Sequence, residues 1–263
     1  TARARAGLSV WVKSQLDAGT TMAQVQTSLK TFDQQDRYDI DGDGNFNEPD
    51  GVIDHFQIVH AGGDEAAGDP NQGTDAIWSH RSFAAVQAGG PLGSGVNVGS
   101  NGAIVSSDLV PNNPTGVWVG DYTMQPENGG LGVFAHEFGH DLGLPDLYDT
   151  SGNTGGAENN TAFWTLMSGG SWLNRGTDSI GTTPGYMGPW EKLFLGWLDY
   201  KAVPFGTDTT VKLSQANLST ASDSVQALVV PLPERTVSTK RNTPHSGKGE
   251  WWSGYGDNLG STL

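Results

Sequence analysis

One stretch of the sequence sets the expectation for the whole chain: His136-Glu137-Phe138-Gly139-His140-Asp141-Leu142-Gly143-Leu144-Pro145-Asp146. Residues four apart on an α-helix are separated by about 400° of rotation and one turn, so the imidazoles of His136 and His140 lie on one face. Both can therefore reach one ion at the roughly 2.0–2.1 Å that zinc prefers. Glu137 is offset by one residue and can hold an attacking water beside that ion. The spacing predicts a helix with two zinc ligands and a general base.

A third ligand is expected from the turn that follows this helix. A catalytic zinc site has three protein ligands and leaves one position open for water. Gly143 permits the positive φ that ends a helix sharply, and Pro145 resists its continuation, so Asp146 can return to the metal. A chance occurrence of H-E-x-x-H on a surface helix is the alternative, which the apolar Val133 and Phe134 and the following Gly and Asp disfavour. The pattern predicts a complete zinc site.

A methionine downstream supports the same interpretation. The segment Leu166-Met167-Ser168-Gly169-Gly170-Ser171-Trp172 begins 20 residues after Asp146. A single methionine is usually a plain core residue. A methionine in a tight turn after three zinc ligands is typical of metzincin proteases, and we predict such a turn at Met167.

These motifs, together with others in the same order, resemble the immune inhibitor A family of secreted bacterial metallopeptidases. The resemblance covers roughly residues 35–200 and, weakly, the tail around 251–254. It is carried by these further segments: Asp39-Ile40-Asp41-Gly42-Asp43-Gly44, Glu48-Pro49-Asp50-Gly51, Val59-His60-Ala61-Gly62, Ala76-Ile77-Trp78-Ser79-His80-Arg81-Ser82 and Gly130-Leu131-Gly132-Val133-Phe134-Ala135.

The resemblance implies a zinc endopeptidase with a metzincin-like catalytic domain, ordered by calcium and secreted with a propeptide. It implies that His136 and His140 are zinc ligands and that Glu137 is the general base. Asp146 stands where most metzincins place a third histidine.

The resemblance also leaves alternatives. Glu158 and Glu191 are rival third ligands, because another clan of zinc proteases takes its third ligand from a downstream glutamate. The strands and helix that open the family domain are expected upstream of Thr1, so we expect this sequence to be a piece of a longer precursor. No tyrosine directly follows Met167, and Tyr186 is a weak candidate for the transition-state tyrosine of some metzincins.

An acidic segment upstream predicts a calcium site. Its spacing D-x-D-x-D-G-N fits the first seven positions of an EF-hand-type loop. Position twelve is an aspartate rather than the usual glutamate, so Asp54 can contribute in its place. A solvated acidic loop is the alternative interpretation. The predicted calcium ligands are Asp39, Asp41, Asp43, Asn45 and Asp50.

Charge and composition narrow the range of partners. The 263 residues include 14 Lys and Arg against 29 Asp and Glu, which gives a net charge of −15. A surface this acidic repels nucleic acid and anionic lipid, so we expect neither as a partner. The sequence contains no run of about 18 apolar residues, so we expect no insertion into a membrane. Cysteine is absent, which excludes disulfides and thiolate ligands but not secretion.

The order of predicted elements indicates an α+β protein: a mixed sheet, an active-site helix and glycine-rich loops, followed by a β-rich extension. We expect a catalytic domain over 1–205 and the start of a truncated accessory domain over 206–263. The expected helices are 1–35, with a capping box at Thr21, 131–142 and 189–197. The expected strands are 54–60, 117–122, 209–213 and 227–230.

The sequence therefore predicts a secreted zinc endopeptidase acting on proteins or peptides. We expect the substrate to pair with a strand at the cleft edge, over 117–124. A calcium-ordered binding or adhesion module with an inactive zinc site is the main alternative, and an amidase or aminopeptidase is the second. His60 and His80 are more simply explained as hydrogen-bonded structural residues than as metal ligands.

Overall fold

The computed structural model describes residues 2–37, 39, 42–69, 71–83, 103–104, 115, 117–150, 161–176, 179–217 and 224–233. By packing, the chain divides into two compact units. The first comprises Thr1–Gly143 and Asn174–Thr183, and the second comprises Leu144–Leu173 and Pro184–Leu263. These units are defined by packing and do not test the domain boundary predicted near residue 205, which stays a prediction.

The predicted helical region at the start of the chain contains two helices, α1 (Ala2–Asp17) and α2 (Met22–Leu29). They are separated because Gly19 adopts a positive φ of 89°. The capping box predicted at Thr21 is confirmed: the N–H of Gln24 donates to the Thr21 hydroxyl, and the Gln24 side chain accepts from the Thr21 N–H at 2.9 Å. This reciprocal pair satisfies two of the N–H groups that open a helix.

Six strands among the described residues of the first unit form two three-stranded mixed sheets. In one sheet, β5 lies between β1, which is parallel to it, and β4, which is antiparallel. In the other, β6 lies between the parallel β2 and the antiparallel β3. The strands are β1 (Val52–Ile53), β2 (Gln57–His60), β3 (His80–Phe83), β4 (Ala103–Ile104), β5 (Trp118–Val119) and β6 (Asp121–Pro126).

The expectation that the segment 117–124 forms a cleft edge is wrong. This segment contains β5 and most of β6, and both strands are paired on both sides. All six residues of β6 are buried. A continuous buried run is typical of a central strand, but alternation and apolar content alone do not show whether a strand has one neighbour or two. The predicted strand 54–60 is present in a shorter form, as β2.

The core of the first unit joins its helices to its strands. Val12 of α1 and Val25 of α2 pack with Val119 of β5 and Met124 of β6, and all four are at most 2% exposed. A third helix, α3 (Leu131–Asp141), packs against β6 and β3. This packing fixes the helix that carries the histidines on a sheet of the first unit.

The second unit contains a short helix, α4 (Pro189–Phe194), and two parallel strands, β7 (Tyr200–Ala202) and β8 (Ala227–Val229). Helix α4 ends before the predicted residue 197 because Gly196 takes a φ of 71° and the N–H of Trp197 returns to the carbonyl of Lys192 at 2.7 Å. This is the usual way in which a glycine ends a helix.

Of the two late strands predicted, that at 227–230 is confirmed as β8, whereas that at 209–213 is wrong. The segment 209–213 is irregular, and Leu213 is 50% exposed, so its alternating apolar residues bury no face that would favour sheet pairing. Much of the predicted β-rich extension, including the tail at 251–254, lies outside the described residues. No helix among the described residues is long and apolar enough to cross a membrane.

Candidate metal centre

Helix α3 carries the histidine motif and has the predicted start and end. It begins after Gly130, and the N–H of Gly132 donates to the carbonyl of Gly181 at 2.8 Å. It ends at Asp141, two residues before Gly143, whose φ is 91°. A positive φ of this size suits glycine because no Cβ opposes it. The helix and the sharp turn predicted from the sequence are both confirmed.

The two histidines of α3 lie side by side, as their spacing of four residues requires. The ring centroids of His136 and His140 are 4.7 Å apart, and the rings are nearly perpendicular at 83°. His136 and Glu137 are buried, with 8% and 6% of their surfaces exposed. The two imidazoles are therefore close enough to bind one ion, and the buried carboxylate of Glu137 lies on the residue after His136.

The turn after α3 brings an aspartate to the histidines. One ligand atom from each of His136, His140 and Asp146 lies within 4.8 Å of the others. These three residues lie within eleven positions of one continuous segment, so the local course of the chain brings them together. Ligands at about 2.1 Å from a tetrahedral zinc ion lie roughly 3.4 Å apart. Two imidazoles and a carboxylate at these separations fit a zinc ion after small side-chain movements.

Met167 lies in a tight turn in the second unit and is completely buried. The N–H groups of Ser168 and Gly170 both donate to the carbonyl of Thr165, which closes the turn. The carbonyl of Met167 accepts the N–H of Leu147 at 2.8 Å. The turn therefore binds the backbone immediately after Asp146.

The two rival third ligands have different outcomes. Glu158 lies outside the described residues. Glu191 lies on α4, is 1% exposed and is not a member of the group formed by the histidines and Asp146. Burial raises the pKa of its carboxyl, while the backbone N–H groups of Glu191, Gly188 and Met167 hydrogen-bond to it and lower the pKa in part.

Residues 2–198 match the family described as immune inhibitor A peptidase M6, catalytic domain. The chain belongs to this family. Membership of a metallopeptidase family implies a bound metal ion, and the cluster on α3 and its turn is the candidate site.

Two similar proteins have longer chains. Immune inhibitor A of Bacillus thuringiensis subsp. alesti is 38% identical over 96% of this chain and 34% of its own. Pre-pro-metalloprotease PrtV of Vibrio cholerae serotype O1, strain M66-2, is 36% identical over 88% of this chain and 24% of its own. This M6 chain thus spans about a third of the length of the Bacillus relative and about a quarter of the length of the Vibrio relative.

A buried charge network that the sequence analysis missed holds the end of α3 in the M6 domain. Arg37 donates to the Asp121 carboxylate at 3.2 Å and to the backbone carbonyl of Asp141. Arg81 pairs with Asp121, and its Nε lies 3.8 Å from the Asp141 carboxylate. Only the occurrence of Asp141 directly after His140 in the sequence could have indicated this network.

The predicted calcium loop shows turn geometry at its described residues. Asp39 accepts the N–H of Gly44 at 2.9 Å, and Asp43 accepts the N–H of Asn45 at 2.7 Å. The Asn45 side chain donates to Glu48 at 2.9 Å. Asp41 lies outside the described residues. The calcium site stays a prediction.

Asp50, the last predicted calcium ligand, faces other carboxylates. Its Oδ1 accepts the N–H of Val52 at 2.7 Å. Its pKa is raised to about 7, chiefly by burial and further by the charges of Asp33, Asp36 and Asp54. Apart from the histidine cluster, no group of three ligands within 4.8 Å occurs among the described residues.

The other predicted site residues make ordinary hydrogen bonds. His80 lies close to the carbonyl of Trp78 at 2.7 Å and to the Tyr122 hydroxyl at 3.2 Å. His60 contacts the carbonyl of Ala61 at 3.0 Å. Tyr186, by contrast, is 65% exposed. The contacts of His80 agree with the structural role favoured for it from the sequence, whereas the buried Nε2 of His60 has no hydrogen-bond partner among the described residues.

Proposed function

We propose that this chain is the catalytic domain of a secreted zinc endopeptidase that hydrolyses peptide bonds in proteins. The observation that carries the proposal is the convergence of His136, His140 and Asp146, with Glu137 on the same helix, within an M6 peptidase domain. A binding or adhesion module has no such need for a buried carboxylate beside three metal ligands.

Each member of the site has a separate task in this proposal. His136, His140 and Asp146 would hold the ion, which matches the three protein ligands of catalytic zinc sites. A zinc ion held there would polarise the scissile carbonyl and lower the pKa of the attacking water. Glu137 accepts the proton of that water and delivers it to the leaving nitrogen as the C–N bond breaks. The hydroxyl remains on the acyl carbon, so the products are an acid and an amine.

We assign to β3, in place of the segment 117–124, the role of the edge strand with which an extended substrate pairs. β3 pairs with β6 along one edge, and its other edge has no strand partner among the described residues. It also packs against α3, which carries Glu137. An extended peptide can add to such an edge through main-chain hydrogen bonds. Methylating single backbone nitrogens of a peptide substrate is expected to lower kcat/KM at alternate positions, and equal effects at all positions would contradict this assignment.

Secretion, a propeptide and calcium form part of the same proposal. The name of the Vibrio relative describes a protein with pre and pro segments. The absence of cysteine makes bound calcium a reasonable means of ordering the acidic segment from Asp39 to Asp50. These features are consistent with an extracellular enzyme made as a precursor.

Metal analysis combined with a cleavage assay tests the proposal. We expect about one zinc per chain in protein purified without added metal, and internal cuts in casein that stop when zinc is chelated. An aminopeptidase or amidase would leave casein without internal cuts. Folded protein that refuses added zinc would exclude the proposed chemistry and favour the calcium-ordered module.

A further inference from the structure

A cavity of about 440 Å³ lies at the start of α3 and has no task in the reaction described above. Its lining includes the buried Asp64, Asp69 and Val133. It also includes the exposed Asn128 and Ser179, so the cavity opens to solvent on their side. Every residue that lines it belongs to the first unit. Ligand-binding cavities in proteins commonly measure about 300–1,000 Å³, so this one can hold a long side chain.

The buried part of the cavity carries negative charge. The Asp69 carboxylate accepts the N–H groups of Gln72, Asn71 and Gly63 at 2.9, 2.6 and 3.0 Å. These hydrogen bonds hold the pKa of Asp69 below its ordinary value. No lysine, arginine or histidine occurs among the described residues that line the cavity. A cleft lined by one sign of charge attracts ligands of the opposite sign.

The hydrogen bonds of the two carboxylates favour an organic cation over a metal ion. Both oxygens of Asp64 accept hydrogen bonds from Ser79, and its Oδ1 also accepts the N–H of Ala66 at 2.8 Å. Both oxygens of Asp69 accept backbone N–H groups. A metal ion requires oxygens that bind it directly, and neither residue joins a group of three possible ligands within the described part of the chain. An ammonium or guanidinium group is attracted by the charge while these hydrogen bonds stay in place.

A buried amide at the same level of α3 points to a polar ligand independently. Gln125 of β6 is completely buried, and neither polar atom of its side chain has a hydrogen-bond partner among the described residues. Met124 packs into the core of the first unit, so strand alternation turns Gln125 and Asp121 to the opposite face. One arginine binds both Asp121 and the carbonyl of Asp141 at the end of α3. Four strand residues span about 13 Å, or roughly nine helix residues, which places Gln125 near the level of Val133. Buried amides are nearly always hydrogen-bonded.

The cavity adjoins the candidate metal centre through α3. Val133 precedes His136 by three residues and Glu137 by four, and residues at these spacings are neighbours on a helix surface. We propose that the cavity is a substrate subsite that binds the ammonium or guanidinium group of a lysine or arginine side chain. The inference rests on the proposed function, since the cleaved bond must lie at the metal centre. An extended peptide advances about 3.3 Å per residue, so the basic residue is expected within about three residues of the cleaved bond.

A series of peptides measures this preference. Internally quenched peptides of one sequence carry lysine, norleucine or glutamate at a single position, and that position is moved along the sequence. Norleucine has nearly the length of lysine but no charge. At one position we expect kcat/KM for lysine to exceed kcat/KM for norleucine about 10-fold or more, with glutamate the poorest of the three.

Charge changes at the opening of the cavity provide matched variants. Ser179 is exposed, so Ser179→Lys and Ser179→Asp are both expected to fold. Ser179→Lys places a cation at the opening and is expected to lower the ratio of lysine to norleucine kcat/KM about 5-fold or more, whereas Ser179→Asp is expected to raise it. Ser14→Lys makes the same charge change at an exposed position of α1 and is expected to leave the ratio unchanged.

Binding to metal-free protein separates this inference from the proposed function. N-acetyl-lysine amide is titrated into the chelator-treated chain, and NMR is expected to show shifts at the amides of Gly63 and Gly129 that N-acetyl-norleucine amide does not cause. If the chain cleaves no peptide but shows these shifts, the proposed function fails and the cavity still binds the cation. Equal kcat/KM for lysine and norleucine at every position would overturn the proposal, as would equal ratios in Ser179→Lys and Ser14→Lys. Shifts at these amides with calcium but not with N-acetyl-lysine amide would make the cavity a metal site and overturn it as well.

Discussion

The guanidinium of Arg37 donates a hydrogen bond to the backbone carbonyl of Asp141, the last residue of α3. The carbonyls at the end of a helix have no partner within the helix, and here a cation also opposes the negative end of the helix dipole. The same guanidinium pairs with Asp121 on β6. The helix that carries the histidines is therefore fixed to the sheet by charge as well as by apolar packing.

Asp121→Asn is expected to destabilise the protein strongly. Asp121 is 2% exposed and pairs with Arg37 and Arg81. Its loss leaves two partly buried guanidinium groups with less opposing charge, and breaking a pair with a buried partner costs about 3–5 kcal/mol. The control is Asp17→Asn, which breaks only the exposed pair with Lys13 and is expected to cost below about 1 kcal/mol. Urea unfolding measures both, and similar losses in the two variants would contradict this account.

Glu137→Gln is expected to retain zinc and lose activity. Glutamine has nearly the same shape but cannot take up the proton of the attacking water, so kcat should fall by about 10²–10⁴-fold. His136→Ala is expected to lose the metal as well, and metal analysis of the purified variant will test this. Glu65→Gln makes the same change outside the metal centre and serves as the control. Full activity in Glu137→Gln would exclude its role as general base.

Gly130→Ala is expected to weaken the start of α3. A Cβ at Gly130 would overlap the backbone of Ile180 and Gly181, which cannot move aside as a flexible side chain does. Overpacking of this kind costs about 1–3 kcal/mol. Gly7→Ala is the matched change within α1, where nothing lies within 4 Å, and it is expected to stabilise the protein by up to about 1 kcal/mol. The idea fails if both variants shift the thermal midpoint in the same direction.

Asp69 is expected to make stability depend on acid pH. The N–H groups of Gln72, Asn71 and Gly63 lower the pKa of its carboxyl below the ordinary value. Its stabilisation is therefore present above the unfolded-state pKa and is lost as the pH falls through the folded-state pKa. The difference in unfolding free energy between wild type and Asp69→Asn, measured in chelator, should be largest above about pH 5 and should shrink below about pH 4. A difference independent of pH would refute this.

Calcium is expected to stabilise the chain through the acidic segment. Calcium at about 100 times its Kd adds roughly 2.7 kcal/mol to the unfolding free energy. Asp39→Asn and Asp43→Asn should lower this gain because each removes a carboxylate ligand. Asp17→Asn again serves as the control, since it changes the charge equally on an exposed part of α1. A calcium effect that is equal in all variants would place the ion elsewhere.

Local patterns were predicted well because their geometry depends on neighbouring residues. The helix over 131–142, the positive φ of Gly143 and the capping box at Thr21 each follow from a few adjacent side chains and the regular rise of a helix. Strand placement was less accurate: 209–213 has suitable alternation but no buried face. A strand is completed by a distant segment, and single-sequence patterns do not identify that segment.

The sequence by itself determined the candidate metal centre, because His136, His140 and Asp146 lie within eleven residues and one helix with its turn brings them together. Only the tertiary structure decided that β6 is a central strand and that Arg37 supports the end of α3. It likewise left the buried Glu191 outside the described group of candidate metal ligands. These relationships join segments up to 104 residues apart, and they depend on how the whole chain packs to satisfy buried charges and backbone groups.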